Sequence, residues 1–456
     1  MKLIKNAAII NERNSFLASV LIENERIAEI YRHEIPSEIA KKADIIDAQG
    51  LWLLPGVIDD QVHFREPGLT RKGDIHSESR AAVAGGITTF MDMPNTNPQT
   101  TTVDALNRKF DRAAETSLAN YTFFIGATND NLSELKKEGA KRAAAIKVFM
   151  GSSTGNMLVD NPSTLERIFA ETDMLIATHC ESETIIKQNI AYYTSKFGED
   201  LDISFHSKIR NAEACYASSS EAVSLATKHN ARLHLFHLST AKEMTLLENK
   251  ALKDKKITGE VCIHHLWFSD KDYPRYGNLV KWNPSIKTIE DRDALRNALI
   301  DGRLDVVATD HAPHLLSEKQ GSCLKAASGG PMVQHALVAM LEMSRQGLWS
   351  TEMVVEKMCH APAELFRIKD RGYIRKGYYA DLVLIDPNRS WKVSPENILY
   401  KCGWSPMEDQ TFSHAVVKTF VNGQLAYDNG IFDENVRGKE IEIKPHHTDF
   451  TDYTDL

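Results

Sequence analysis

The first fifty residues alternate apolar and polar positions and are rich in Ile, Val and Leu. Turn-forming stretches interrupt them: "NERN" at 11–14 and "ENER" at 23–26. This pattern predicts short antiparallel strands. The rhythm then changes. Eight short apolar runs follow, each separated from the next by an Ala- and Glu-rich stretch of helical character. They are "LWLLPGVID" (51–59), "ITTFMDMP" (87–94), "NYTFFIGAT" (120–128), "AAIKVFM" (144–150), "MLIATHCE" (174–181), "ARLHLFHLS" (231–239), "ITGEVCIHHL" (257–266) and "LDVVATDHAP" (304–313). Eight strands joined by crossovers predict an α/β chain with a (β/α)8 TIM-type barrel. A doubly wound sheet competes, but no glycine-rich dinucleotide loop follows the first strand.

Strand rhythm returns after about residue 370, in "YADLVLIDP" (379–387) and "AVVKTFVNGQLAYDNG" (415–430). Asn422-Gly423 is the signal of a type I′ hairpin. The simplest architecture joins the two ends, 1–53 and 371–440, into a small β-sandwich beside a barrel of 54–370. Residues 441–456 are polar and acidic and read as a loosely held tail.

Composition narrows the function class. The net charge of -8 argues against nucleic acid or a membrane surface as partner. No apolar run approaches the roughly 18 residues of a membrane span, and the N-terminus lacks the apolar segment of a signal peptide. Six cysteines without a C-x-x-C pair read as reduced thiols in the cytoplasm.

Polar residues recur where the apolar runs end. His63 follows run one, Asn95 run two, Lys147 lies in run four, His179 and His237 end runs five and six, and Asp310 ends run eight with His314 just beyond. In a barrel, all these ends face one pocket. Any one alone reads as a satisfied rim residue. Together, buried and unpaired, they would cost several kcal/mol each, and a divalent cation would satisfy them at once. The segment "GVIDDQVHFREPG" (56–68) carries a D-x-H-x-H pattern in Asp59 and His63, with Gln61 in place of the first His. From His311 to Gly330 a long, small-residue-rich stretch reads as either a lid or an inert surface loop.

The motifs "HFREPG", "MDMPNT", "IKVFMGSSTGN", "THCE", "HLST", "NPSIK" and "TDHAPH" resemble, in order and spacing, those of the class I dihydroorotases of the amidohydrolase superfamily. The resemblance covers nearly the whole chain. It implies reversible cyclisation of N-carbamoyl-L-aspartate to L-dihydroorotate in pyrimidine synthesis. It also implies that Lys147 is carboxylated and bridges two zinc ions, one held by His63 and Asp310, the other by His179 and His237. Asp310 would be the catalytic proton carrier. Arg65, Asn95 and His314 would bind a substrate carboxylate, and Asn283 the ring amide. Gln61 departs from the pattern and is an uncertain ligand, so one tight zinc and a second weak or absent one are expected. The rival readings are an allantoinase- or hydantoinase-like cyclic amidohydrolase, and a metal-free partner of aspartate transcarbamoylase. A homodimer is compatible with either.

Overall fold

Pro55 and Gly56 split the first apolar run in two. The computed structural model describes residues 1–151 and 157–444. In it Trp52–Pro55 (β5) pairs with the terminal strands, and only Val57–Val62 (β6) enters the barrel. The single strand expected over 51–59 is therefore two. Gly56 is required at the break: a Cβ there would lie 2.0 Å from Thr88 Oγ1.

Four strands precede the break: Lys2–Asn11 (β1), Asn14–Glu23 (β2), Arg26–Tyr31 (β3) and Asp44–Asp47 (β4). The barrel continues with Ile87–Asp92 (β7), Asn120–Phe123 (β8), Ile125–Gly126 (β9), Ile146–Phe149 (β10), Ile176–His179 (β11), Leu233–Leu235 (β12), Ile257–Cys262 (β13) and Val306–Ala308 (β14). β8 and β9 are one barrel strand interrupted at Phe124. β6 to β8 are parallel neighbours, and so are β9 to β14. The ring closes where His63 N donates to His311 O at 2.7 Å and Val62 bridges His311. These strands are buried on both faces, so they read as continuous apolar runs rather than as alternation.

The crossover helices start where their sequence caps them. Asp74 and Thr102 accept backbone N–H bonds at the heads of helices Ile75–Ala84 and Val103–Thr116, and Thr288 forms a capping box for Ile289–Asp301. Inside the barrel, Ile58, Met91, Phe124, Ala177, Phe236 and Val306 pack together with no exposure above 2%.

The C-terminal strands are Leu382–Asp386 (β15), Trp391–Lys392 (β16), Thr411–Phe412 (β17), Ala415–Val421 (β18), Gln424–Asp428 (β19) and Ile431–Phe432 (β20). Both ends of the chain share one nine-stranded sheet, in which β15 lies between β5 and β18. It has its own core, including Ile9, Val20, Leu53, Leu382 and Phe420. Asn422 and Gly423 both have positive φ, 48° and 73°, as the type I′ hairpin requires. Residues 441–444 are not loose: Ile443 bridges Ile368, and Lys444 N donates to Arg367 O at 2.9 Å. The remainder of the expected tail, 445–456, lies outside the described residues. No described helix is long and apolar enough to cross a membrane.

Asp381 ties sheet to barrel. Its carboxylate accepts from Asn422 N at 2.8 Å, from Asn120 Nδ2 at 3.1 Å and from the buried Arg371 guanidinium. Asp381→Ala strands that guanidinium without a counter-ion. We expect a loss of about 3–5 kcal/mol in unfolding free energy, measured by urea titration; a loss below 1 kcal/mol would show that the pair is not what holds the two parts together.

Candidate active site

A cavity of about 410 Å3 opens at the C-terminal ends of the barrel strands. Gln61, His63, Arg65, Asn95, Lys147, His179, His237, Asn283, Asp310 and His314 all line it. A larger cavity, about 750 Å3, is lined by such residues as Glu12, Asp301 and Lys357 and contains none of the motif side chains. The chemistry therefore belongs to the smaller one. Asp59 does not line it. That carboxylate accepts from Thr309 Oγ1 at 2.6 Å and from Thr309 N at 3.2 Å, joining the ends of β6 and β14. Burial raises its pKa well above the usual carboxylate range.

Lys147, in the middle of β10, is 1% exposed, and its Nζ has no hydrogen-bond partner among the described residues. The amine lies 4.0 Å from the centroid of the Phe236 ring. Burial lowers its pKa to about 8, even with Glu260 and Asp310 nearby to favour the charged form. A buried amine with a low pKa is nucleophilic near neutral pH, which is what carboxylation requires.

Around it the imidazoles are held in fixed orientations. His179 Nε2 lies 3.1 Å from Glu181 Oε2, and Arg210 Nη1 lies 2.5 Å from the same oxygen. Burial would raise the Glu181 carboxyl, but Arg210 and His179 hold it down at about 2. An ionised Glu181 accepts the Nε2 proton, so the lone pair of His179 sits on Nδ1. That lone pair points at His237 Nε2, 2.8 Å away. Among the described residues His237 Nδ1 has no hydrogen-bond partner. Burial lowers the pKa of both rings, which keeps them neutral and able to ligate. On the opposite wall, His63 Nδ1 lies 2.8 Å from Asn95 Oδ1, and His63 Nε2 lies 3.1 Å from Asp310 Oδ1. The donor chemistry at both places fits a divalent cation. Gln61 fits least well: it offers only a carboxamide, whose Oε1 is 3.7 Å from Cys262 Sγ.

Three of these residues, Arg65, His237 and Asp310, have left-handed φ values of 68°, 37° and 44°. Such backbone costs of order 1–3 kcal/mol per residue and concentrates at functional sites.

Arg65, also in the cavity wall, is 8% exposed, and burial lowers its pKa to about 10. Its Nε donates to Pro313 O at 3.0 Å, and its Nη2 lies 3.1 Å from His314 Nε2. Asn283 Oδ1 is buried without a hydrogen-bond partner among the described residues. Within the stretch 311–330, Ala327, Ser328 and Gly329 line the cavity. The stretch is clamped there by the buried Lys319, whose Nζ donates to Ala327 O at 2.8 Å and Gly329 O at 2.7 Å. It is thus neither an inert surface loop nor a free one. Of the motif "IKVFMGSSTGN", residues 152–156 lie outside the described residues.

The structure brings all the expected site residues to one cavity, adds Arg210 to its lining and sets Glu181 behind His179. Glu181 was visible in "THCE", two positions past a strand-end His. Arg210 carried no sequence signal, because it reaches the site from between two helices.

The chain belongs to the amidohydrolase family, whose model matches residues 52–426. Among curated proteins it is 31% identical to the dihydroorotase of Methanosphaera stadtmanae over 94% of this chain and 97% of that one. It is 34% identical to the dihydroorotase of Methanosarcina acetivorans over 89% and 87%. Among solved structures, the L-hydantoinase (dihydropyrimidinase) of Arthrobacter aurescens superposes with a TM-score of 0.89. It is 26% identical, covering 96% of this chain and 99% of that one.

Lys147 yields a stability test. Its pKa falls from 10.5 to about 8 on folding. Below pH 8 the folded, metal-free chain must therefore keep a buried ammonium, at a cost of about 3 kcal/mol at 1.4 kcal/mol per unit. Lys147→Met should stabilise the metal-free protein by that amount at pH 7. The advantage should shrink as pH rises through 8 and vanish near 10.5, because the wild-type amine is then neutral in both states. An advantage independent of pH would show that packing, not charge, is responsible.

Proposed function

We propose that the chain is a dihydroorotase, interconverting N-carbamoyl-L-aspartate and L-dihydroorotate in pyrimidine synthesis. The observation that carries this reading is the buried Arg65 beside His314, in one cavity with Asn95 and the strand-end histidines. A guanidinium makes bidentate bonds to a planar carboxylate. Its Nε is committed to Pro313 O, which fixes the plane of the head group. The curated relatives named dihydroorotase support the same assignment.

His179 and His237, with a carboxylated Lys147, would hold one zinc. His63 and Asp310, with the weaker Gln61, would hold a second one loosely or not at all. A cation bound there supplies Lewis acidity to a carbonyl oxygen and to water. The two positions are unequal, because changes even outside the ligand shell cost roughly 10–100-fold in affinity, and here an imidazole is replaced by an amide oxygen. Asn283 Oδ1, buried and unpartnered, would accept from the ring N–H. In hydrolysis the Asp310 carboxylate takes the proton of the attacking water and delivers it to the leaving nitrogen; in cyclisation it works in reverse. Ala327 to Gly329, pinned by Lys319, narrow the space left for solvent.

A hydantoinase-like reading rests on the solved relative. It has no use for a buried cation at Arg65, because a hydantoin ring carries no carboxylate of its own. A metal-free partner of aspartate transcarbamoylase would have no need to keep an unpaired Lys147 and oriented imidazoles. All six cysteines are free, as suits a cytoplasmic enzyme.

The test is turnover and its balance. Ring closure turns two carboxylates into one and consumes a proton. The enzyme should therefore bring the two compounds to a ratio that shifts about tenfold per pH unit, acid favouring the ring. Arg65→Met should weaken kcat/KM by about 2–5 kcal/mol with zinc content unchanged. No turnover in zinc-loaded wild type would sink the assignment. Loss of zinc in Arg65→Met would move that residue from the substrate to the metal.

A further inference from the structure

Beneath the cavity, three ionisable side chains meet inside the barrel, with the Lys147 amine near one of them, Glu260. Asp60 comes from β6, His234 from β12 and Glu260 from β13, and each is fully buried. Their ligand atoms lie within 4.8 Å of one another. None of the three lines the cavity above. Among the described residues, no lysine or arginine forms an ion pair with either carboxylate. The nearest counter-group is His234 Nε2, 3.4 Å from Asp60 Oδ2 and 3.8 Å from Glu260 Oε2. Charge-assisted N–H···O bonds are shorter, roughly 2.7–2.9 Å. Both Asp60 oxygens, Glu260 Oε2 and His234 Nε2 are buried without a hydrogen-bond partner among the described residues. Carboxylates left in that condition cost several kcal/mol each.

The surroundings fix where these atoms point. Thr258 Oγ1 donates to Leu233 O at 3.2 Å and lies 2.8 Å from His234 Nδ1. The hydroxyl's one proton is committed, so it accepts the Nδ1–H and turns Nε2 toward the two carboxylates. Glu260 Oε1 accepts from His237 N at 3.0 Å and from Cys262 Sγ at 3.3 Å, which turns Oε2 into the cluster. The spacing is that of ligands rather than of hydrogen bonds. Atoms about 2.1 Å from a tetrahedral zinc lie about 3.4 Å apart.

We propose that Asp60, His234 and Glu260 form a second, closed cation site that holds a divalent metal of the zinc class and ties the first, sixth and seventh barrel strands together. One imidazole and two carboxylates are a suitable set for such an ion, and both oxygens of Asp60 are available to it. Closed to the cavity, the site is structural. Its link to the chemistry above is Glu260, which also holds the backbone of His237. The inference does not depend on which reaction the cavity performs. The competing occupant is a proton. Burial lowers the pKa of His234, and the two carboxylates raise it to about 9 overall. Burial and Asp60 also raise the Glu260 carboxyl, to about 7, so a second proton belongs to that competition. Nε2 is, however, 3.4 Å from Asp60 Oδ2 and 3.8 Å from Glu260 Oε2, beyond good N–H···O range for a proton on it.

The test uses zinc alone as the probe. Anomalous diffraction at the zinc edge, from wild-type crystals grown with zinc, should show a peak enclosed by Asp60, His234 and Glu260. In solution, a chain carrying His179→Ala and His237→Ala should still retain one zinc after dialysis. Adding Asp60→Asn, with an unchanged circular dichroism spectrum, should remove it. If that variant does not fold, the wild-type anomalous map decides alone. The absence of a peak among the three side chains overturns the proposal whatever the upper site holds, and so does zinc retention that Asp60→Asn leaves unaltered.

Discussion

A lysine amine buried in the middle of a barrel strand, with no hydrogen-bond partner among the described residues, is the constraint around which this molecule is arranged. As an ammonium, Lys147 loses more to burial than Glu260 and Asp310 return to it. The neighbours make sense once that nitrogen is treated as unfinished. Two neutral imidazoles stand with nitrogens facing one another at 2.8 Å. A carboxylate and a third imidazole face one another across 3.1 Å. Backbone strain at Arg65, His237 and Asp310 is tolerated because the barrel closes tightly around them. The proposed carbamate would turn the least useful group in the cavity into the ligand that the others lack.

The architecture was largely legible in the sequence, for a physical reason. Parallel strands covered on both faces leave unbroken apolar runs, and all eight such runs carry barrel strands. Asn422-Gly423 announced its hairpin through the backbone freedom of those two residues. The division at Gly56 was not legible. Pro55 and Gly56 lie inside one apolar run, and only the pairing of β5 with β15 shows that the chain changes sheets there. His63, Asn95, His179, His237 and Asp310 were legible because each ends or follows a run; Lys147 stood out as a charge inside one, and Arg65 and Asn283 came only from the resemblance. Their supports were less so. Arg210 lies far along the chain from Glu181 and meets it only through the fold. Lys319 carried no sequence signal, yet its Nζ is buried against the carbonyls of the stretch it pins. Asn95, expected on the substrate, also orients His63. Asp59, placed in a metal pattern, instead ties two strand ends together.

The segment Asp59-Asp60-Gln61 gives the chain its particular character. Three adjacent residues face three environments: Thr309, the barrel interior and the cavity. Where an imidazole would complete the upper site, the chain supplies a carboxamide. One residue earlier it sends a carboxylate downward to His234. Under the reading proposed here, the upper site works with unequal metal positions, and the interior below it carries charge that a cation would balance.

The most direct measurement is 13C NMR of the protein incubated with 13C-bicarbonate and zinc. The account predicts a carbamate resonance in the wild type that is absent from Lys147→Met and that disappears when acid removes the metal. An unlabelled Lys147 in a zinc-loaded, active wild-type enzyme would contradict it.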